Sequence, residues 1–316
     1  MEPDSEKKIE KLNNLKRNKN AIILAHYYQT GDIQDIADFV GDSLALSQKA
    51  ASNNADIIVF AGVKFMAETA KILAPEKKVL LPDINAGCSL ADSCKAEDFK
   101  KFLDENPGRT VVTYVNTTAD IKALSDIICT SSNAVQIIES LPEDEKIIFA
   151  PDRNLGNYVL NKTGRDILVW NGACHVHEEF SLEAIINLKK EYPSAKVIVH
   201  PECELPVRLM ADFIGSTSAL LSYSRDNDAK TYIIATEPGI IHQMQKANPH
   251  KNYIPVPPKD STCGCSECNF MKLITIDKII KSLESESPEI FVDEDIIDKA
   301  IKPIRRMLDI SKKLGL

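Results

Sequence analysis

No apolar run in this sequence approaches the roughly 18 residues that a membrane-crossing helix needs. Residues 1–20, MEPDSEKKIEKLNNLKRNKN, lack the apolar core of a secretory leader. Both absences point to a cytoplasmic protein with no membrane partner. Positive charge is also short. Lys and Arg total 38 against 46 Asp and Glu, a net charge of -8, which argues against nucleic acid as a main partner. An acidic protein that takes anionic ligands has to bind them through local N–H groups and dipoles. Cysteine is plentiful, yet the cluster Cys263-Gly264-Cys265-Ser266-Glu267-Cys268 has no second CxxC-type pair nearby to complete a zinc ribbon.

What the chain does have is one stretch three times over. Ile23–Ser43, Val111–Ser131 and Val197–Thr217 align without a gap, at offsets of 88 and 86 residues. The period is too long for a solenoid, so it predicts three copies of a small α/β unit. His26, Tyr114 and His200 share one column, and Tyr28, Asn116 and Glu202 another. Asp38, Asp126 and Asp212 form a third, and Ser43, Ser131 and Thr217 a fourth. Each copy opens on a short β-branched run that reads as a buried parallel strand. A helical segment follows, spaced in the first copy by Ile33, Ile36, Ala37 and Val40.

In parallel α/β sheets, ligands bind beyond the carboxyl ends of the strands. The first two columns fall there, and residues two apart on an extended segment face the same side. The hydroxyl column, with Gly41-Asp42, Thr130 and Gly215-Ser216 before it, reads as a second strand-to-helix junction suited to a phosphate or carboxylate. The acidic column reads as structural, through capping or pairing between units.

Further strands are expected over 56–62, 79–81, 146–150, 166–170, 230–235 and 253–256. Helices are expected over 5–18, 64–73 and, as a pair broken at 284–289, 276–315. The predicted architecture is three pseudo-threefold-related αβα domains with parallel sheets around a central active site, over 1–107, 108–191 and 192–316 plus C-terminal helices. Cys88 and Cys174 sit in equivalent places, inside Asn85-Ala86-Gly87-Cys88 and Asn171-Gly172-Ala173-Cys174. The third copy offers the 263–268 cluster. One thiolate per unit converging on an axis leaves an open fourth position, which suits a [4Fe–4S] cluster used as a Lewis acid. Cys94, Cys129 and Cys203 read as ordinary core thiols.

The sequence resembles the iron–sulfur-dependent quinolinate synthases of de novo NAD biosynthesis over essentially its whole length. The carriers include Ala25-His26-Tyr27-Tyr28-Gln29, Ala37–Leu44, Leu81-Pro82-Asp83, Ala86–Ala91 and Tyr114-Val115-Asn116. Further on come Trp170–His177, His200-Pro201-Glu202-Cys203, Gly215-Ser216-Thr217 and Cys268 with Met271-Lys272. The resemblance implies condensation of iminoaspartate, delivered by L-aspartate oxidase, with dihydroxyacetone phosphate to give quinolinate, phosphate and water. It implies a [4Fe–4S] cluster on Cys88, Cys174 and Cys268. Repeat spacing alone prefers Cys263 as the third ligand, and the motif selects Cys268. Asn269 follows it where relatives often carry proline.

Resemblance and chemistry together assign roles. Glu202 is the candidate base, with His200, His26, Tyr28 and Tyr114 as proton donors or acceptors. His26, Tyr114, Asn116, His177, His200 and Glu202 are expected to bind substrate, with Ser43, Ser131, Ser216 and Thr217 holding phosphate and carboxylates. His175 is expected to pack in the core or to support the site from behind, and His242 and His250 to lie on the surface. Alternatives are an iron–sulfur hydro-lyase acting on another small acid, a non-catalytic ligand or redox sensor, and a zinc hydrolase built on Cys263, Cys265 and Cys268.

Overall fold

The structure, a computed structural model, describes residues 3–259 and 266–316. Cys263 and Cys265 lie outside the described residues. The short β-branched runs form twelve strands. The first four are β1 (Ala21–His26), β2 (Phe39–Gly41), β3 (Ile57–Ala61) and β4 (Lys78–Leu80). Then come β5 (Thr110–Tyr114), β6 (Ile127–Cys129), β7 (Ile147–Ala150) and β8 (Ile167–Val169). The last four are β9 (Lys196–Val199), β10 (Phe213–Ile214), β11 (Thr231–Ala235) and β12 (Asn252–Pro255). They make three four-stranded parallel sheets, ordered β2-β1-β3-β4, β6-β5-β7-β8 and β10-β9-β11-β12. The fold is α/β with three small αβα units, as the repeat predicts.

The strand order decides where a ligand can sit. From the first strand of each unit the chain steps outward to one neighbour, then crosses to the other side. The two connections leave in opposite directions, which opens a crevice at the carboxyl ends of the central pair. The strand interiors are buried on both faces, so their sequences run apolar without alternation.

The acidic column locks this order within each unit, not between units. Asp38 accepts from Ile23 N at 2.7 Å, Asp126 from Val111 N at 2.8 Å and Asp212 from Val197 N at 2.8 Å. The backbone N–H of each Asp donates in return to the carbonyl of the same strand residue. This reciprocal clamp also explains a departure in the first copy. The helix there covers only Gly31–Ile36, and Val40 belongs to β2, because Asp38 is fixed to β1 and forces the chain into an extended path.

Helix Lys64–Leu73 forms at the predicted residues. The C-terminal helices are Ile276–Ser285 and Glu294–Leu314, separated by Glu286 in the left-handed region. The first packs on the opening helix Pro3–Asn18, and the second lies across β6 and helix Ala119–Ala123. One continuous core therefore runs through the first two units and both C-terminal helices, while the third unit has cores of its own on its two sheet faces. Cys94, Cys129 and Cys203 are buried in these cores.

The three units meet at Asp42, which is buried. Its Oδ1 accepts from Ala45 N, capping helix Ser43–Ala51. Its Oδ2 accepts from Ser132 Oγ of the second unit at 2.7 Å and Ser218 Oγ of the third at 2.5 Å. One carboxylate thus knots all three copies one residue away from the hydroxyl column.

Candidate active site

The carboxyl ends of the three sheets converge on one cavity. It is lined by both strand-end columns: His26 and Tyr28, Tyr114 and Asn116, His200 and Glu202. Ser43, Ser131, Thr217 and His177 line it too, with Cys88, Cys174 and Cys268. Among the described site candidates, only Ser216 is absent from the wall. Its Oγ accepts from Ala219 N at 3.3 Å as the cap of helix Thr217–Asp226, so its hydroxyl has a structural use. Ser43 and Thr217 are the first residues of their helices. Ser131 sits in a turn ahead of helix Ala134–Glu139, so the junction is looser in the second copy.

The strand-end histidines share a local device. Tyr28 N donates to His26 Nδ1 at 3.2 Å, and Glu202 N donates to His200 Nδ1 at 3.4 Å. A ring nitrogen that accepts must be unprotonated, so each ring carries its proton on Nε2. Burial agrees, pushing His26 down to about 4 and His200 down to about 3. Both rings are neutral at neutral pH.

Glu202 is 2% exposed and held on every side. Burial alone would push its carboxyl up. The His177 ring, its Nδ1 at 3.1 Å, and the Tyr114 hydroxyl at 2.5 Å outweigh burial and hold it at about 2. The group is a carboxylate at neutral pH. The Tyr114 and Tyr28 hydroxyls move the other way, kept protonated by burial first and by the Glu202 charge second.

A chain of hydrogen bonds runs on from Glu202. His177 Nε2 lies 3.0 Å from Thr236 Oγ1, and Thr236 Oγ1 lies 2.9 Å from the Tyr28 hydroxyl. That hydroxyl lies 2.9 Å from Thr217 Oγ1. Tyr114, Glu202, His177, Thr236, Tyr28 and Thr217 thus form one polar line through all three units. Asn116 Oδ1 is buried on the cavity wall with no hydrogen-bond partner among the described residues, an acceptor left for a ligand's N–H or O–H group.

The three thiols are pushed up by burial, Cys88 to about 12. All three line the one cavity, so they face a common space. Among the described residues, the one trio of donors close enough for a single ion, within 4.8 Å of one another, is Cys174, His177 and Glu202. The three sulfurs are spread wider than that.

Several residues on and behind the wall escaped sequence reasoning. Glu237 is fully buried and pairs with Lys272 at 2.8 Å, and the Lys272 ammonium also donates to Tyr28 O at 2.6 Å. Thr236 bridges His177 and Tyr28. Both lie directly after β11, the same kind of strand end that marked His26 and His200. Of the two places expected for His175, the core and a supporting position at the site, it does not take the core. It is an exposed residue at the cavity mouth, its Nδ1 lying 2.5 Å from Ser89 Oγ, because Cys174 turns the chain outward into helix His175–Glu178. His242 pairs with Asp35 at the surface and His250 is exposed, as expected.

This geometry can now be set beside known proteins. The family model described as quinolinate synthetase A protein (NadA) matches residues 10–309. Quinolinate synthase of Thermosynechococcus vestitus is 59% identical over 300 residues, covering 95% of this chain and 94% of that protein. The Rippkaea orientalis enzyme of the same name is 60% identical over 300 residues, covering 95% and 92%. That of Synechocystis sp. is 58% identical over 300 residues, covering 95% and 94%. No helix among the described residues is long and apolar enough to cross a membrane. With a match along nearly its full length and identity near three-fifths, the chain belongs to the quinolinate synthase family of enzymes.

Proposed function

We propose that the cavity condenses iminoaspartate with dihydroxyacetone phosphate and closes the pyridine ring of quinolinate, releasing phosphate and water. L-Aspartate oxidase supplies the first substrate, in the cytoplasm. Three units, over 1–107, 108–191 and 192–316, each give one cysteine: Cys88, Cys174 and Cys268. The donor set fits a [4Fe–4S] cluster. Its three sulfurs are wider apart than a single ion tolerates, they face one cavity, and buried thiols need a cation to become thiolates. When bound, such a cluster supplies one iron free of cysteine as a Lewis acid for the dehydrations.

The rest falls to side chains. Proton removal beside a carbonyl needs a base in reach, and Glu202 is already ionised at neutral pH. His177 Nδ1–H donates to Glu202 Oε2 and orients that oxygen toward the cavity, and the far side of the ring, Nε2, is tied through Thr236 to Tyr28. Tyr114 donates to Glu202 Oε1 and holds its rotamer. The Nε2–H groups of His26 and His200 are donors for substrate carboxylates. Asn116 Oδ1 takes an imine or hydroxyl hydrogen. Ser43, Ser131 and Thr217 receive the phosphate, assisted by the N-termini of helices Ser43–Ala51 and Thr217–Asp226. Asp42 beside them does not repel an anion at full strength, because one backbone N–H and two hydroxyls already engage it.

The observation that carries this reading is the convergence of one cysteine and one strand-end polar pair from each unit on a single cavity. Anaerobic purification with iron and sulfide analysis tests it, followed by a quinolinate assay. The expected result is about four irons and four sulfides per chain with a colour bleached by air. Zinc alone, with no turnover, would favour a metal-binding module. Cys268→Ser is expected to abolish cluster content, and Cys263→Ser to leave it intact. The reverse pattern would move the third ligand to Cys263.

A further inference from the structure

We propose that Asp152 and Glu237 are positioning residues that hold the loops carrying Cys174 and Cys268. The proposal rests on the reading of those cysteines as cluster ligands. Both carboxylates are fully buried. They occupy the same place in their units, two residues beyond the last residue of β7 and of β11. Asp152 Oδ2 accepts from Cys174 N at 3.2 Å, and Glu237 Oε1 accepts from Cys268 N at 3.2 Å. Two carboxylates in one repeat column thus receive the peptide N–H of the cysteine in their own units.

The second oxygen of each group ties the cysteine loop to the end of a strand. Asp152 Oδ1 accepts from Leu155 N at 2.6 Å, capping helix Arg153–Thr163. Glu237 Oε2 accepts from Gly239 N at 2.7 Å. Backbone pairing extends the anchor in the second unit, where Arg153 N donates to Gly172 O and Gly172 N to Pro151 O. Gly172 is required there, since a Cβ would come within 2.4 Å of Ser93 Oγ and 2.6 Å of Pro151 O. In the third unit Lys272 neutralises Glu237 and joins it to Tyr28 O. The first unit keeps the backbone tie, Lys64 N to Ala86 O at 2.8 Å, but Val63 fills the column. Two of the three ligand loops therefore depend on a buried carboxylate and the third does not.

An amide cannot replace either group. Both oxygens of each carboxylate accept, so Asn or Gln must turn an NH2 against one N–H donor. Groups behind metal ligands typically alter metal affinity or activity by 10–100-fold. The test compares Asp152→Asn and Glu237→Gln with Asp126→Ala, a strand-clamp variant that touches no cysteine loop. In the full chain freed of metal, amide hydrogen exchange is expected to rise at Cys174 only in Asp152→Asn. It is expected to rise at Cys268 only in Glu237→Gln, and at neither in Asp126→Ala. In anaerobic holoprotein, release of iron to a chelator is expected to quicken by about tenfold in the two amide variants. The electron paramagnetic resonance signal of their reduced cluster is expected to shift, with the wild-type signal retained in Asp126→Ala. Unchanged exchange at both cysteines would overturn the proposal, as would a rise shared with Asp126→Ala. If wild-type protein binds no cluster, the cofactor reading fails while the exchange experiment still decides the role of these carboxylates.

Discussion

At the scale of single residues, the site turns on how burial is offset. Glu202 lies deep in the protein, yet it stays ionised because Tyr114 and His177 donate to it. Replacing Glu202 with Gln keeps the shape and removes the charge. The amide must also turn its NH2 toward Tyr114 or His177, which disturbs the line of hydrogen bonds. Positioned proton transfer contributes typically 10²–10⁴-fold, so Glu202→Gln is expected to lower kcat by about that factor. Binding of quinolinate, followed by protection of the chain against thermal unfolding, should weaken far less. Turnover within a few-fold of wild type would remove Glu202 from proton transfer. The polar pairs at strand ends were legible in the sequence because three copies repeated them. Glu237 and Asp152 were not, since the aligned stretches stop before β3, β7 and β11. The missing signal was there to read: Val63, Asp152 and Glu237 each follow the next buried strand by two residues.

At the scale of elements, the acidic column shows what a repeated residue is for when it is not chemical. Asp126, just ahead of β6, accepts from Val111 N on β5. Asp126→Ala leaves that buried donor unpaired, which costs about 1–3 kcal/mol. The expected result is a lower thermal midpoint with kcat near wild type, and Asp126→Asn should fall between, since its amide oxygen can still accept. A loss of kcat larger than the loss of folded protein would give the column a part in the chemistry. Sequence period placed the strands and the helix Lys64–Leu73 well, because buried parallel strands and amphipathic helices have distinct apolar spacing. It overran at Val40, where a tertiary clamp through Asp38 overrides a helical spacing. It left His175 between the core and a supporting place at the site, because spacing alone does not show that the chain enters helix His175–Glu178 after Cys174.

At the scale of the whole molecule, the cavity is a place where three units bury polar groups that each would expose alone, and that makes the assembly sensitive to acid. His26 and His200 are kept neutral by burial, titrating at about 4 and about 3, against 6.5 when exposed. The unfolded chain therefore takes up a proton on each ring as pH falls below about 6.5, while the folded chain does not until near 4 or 3. Stability is full above pH 6.5 and is lost through that window, at up to about 1.4 kcal/mol per pH unit for each ring. Glu202, held low at about 2 against 4.5, adds loss of the same sign only below about 4.5. Unfolding of the metal-free chain by denaturant from pH 7 down to pH 5 should show a slope that grows toward two protons from these rings as pH nears 5. His200→Gln should remove about half of it in that range, and Glu202→Gln should leave it nearly unchanged there. A slope that ignores His200→Gln would mean the ring is reached by water in the folded chain, and the closed cavity shared by the three units would have to open in solution.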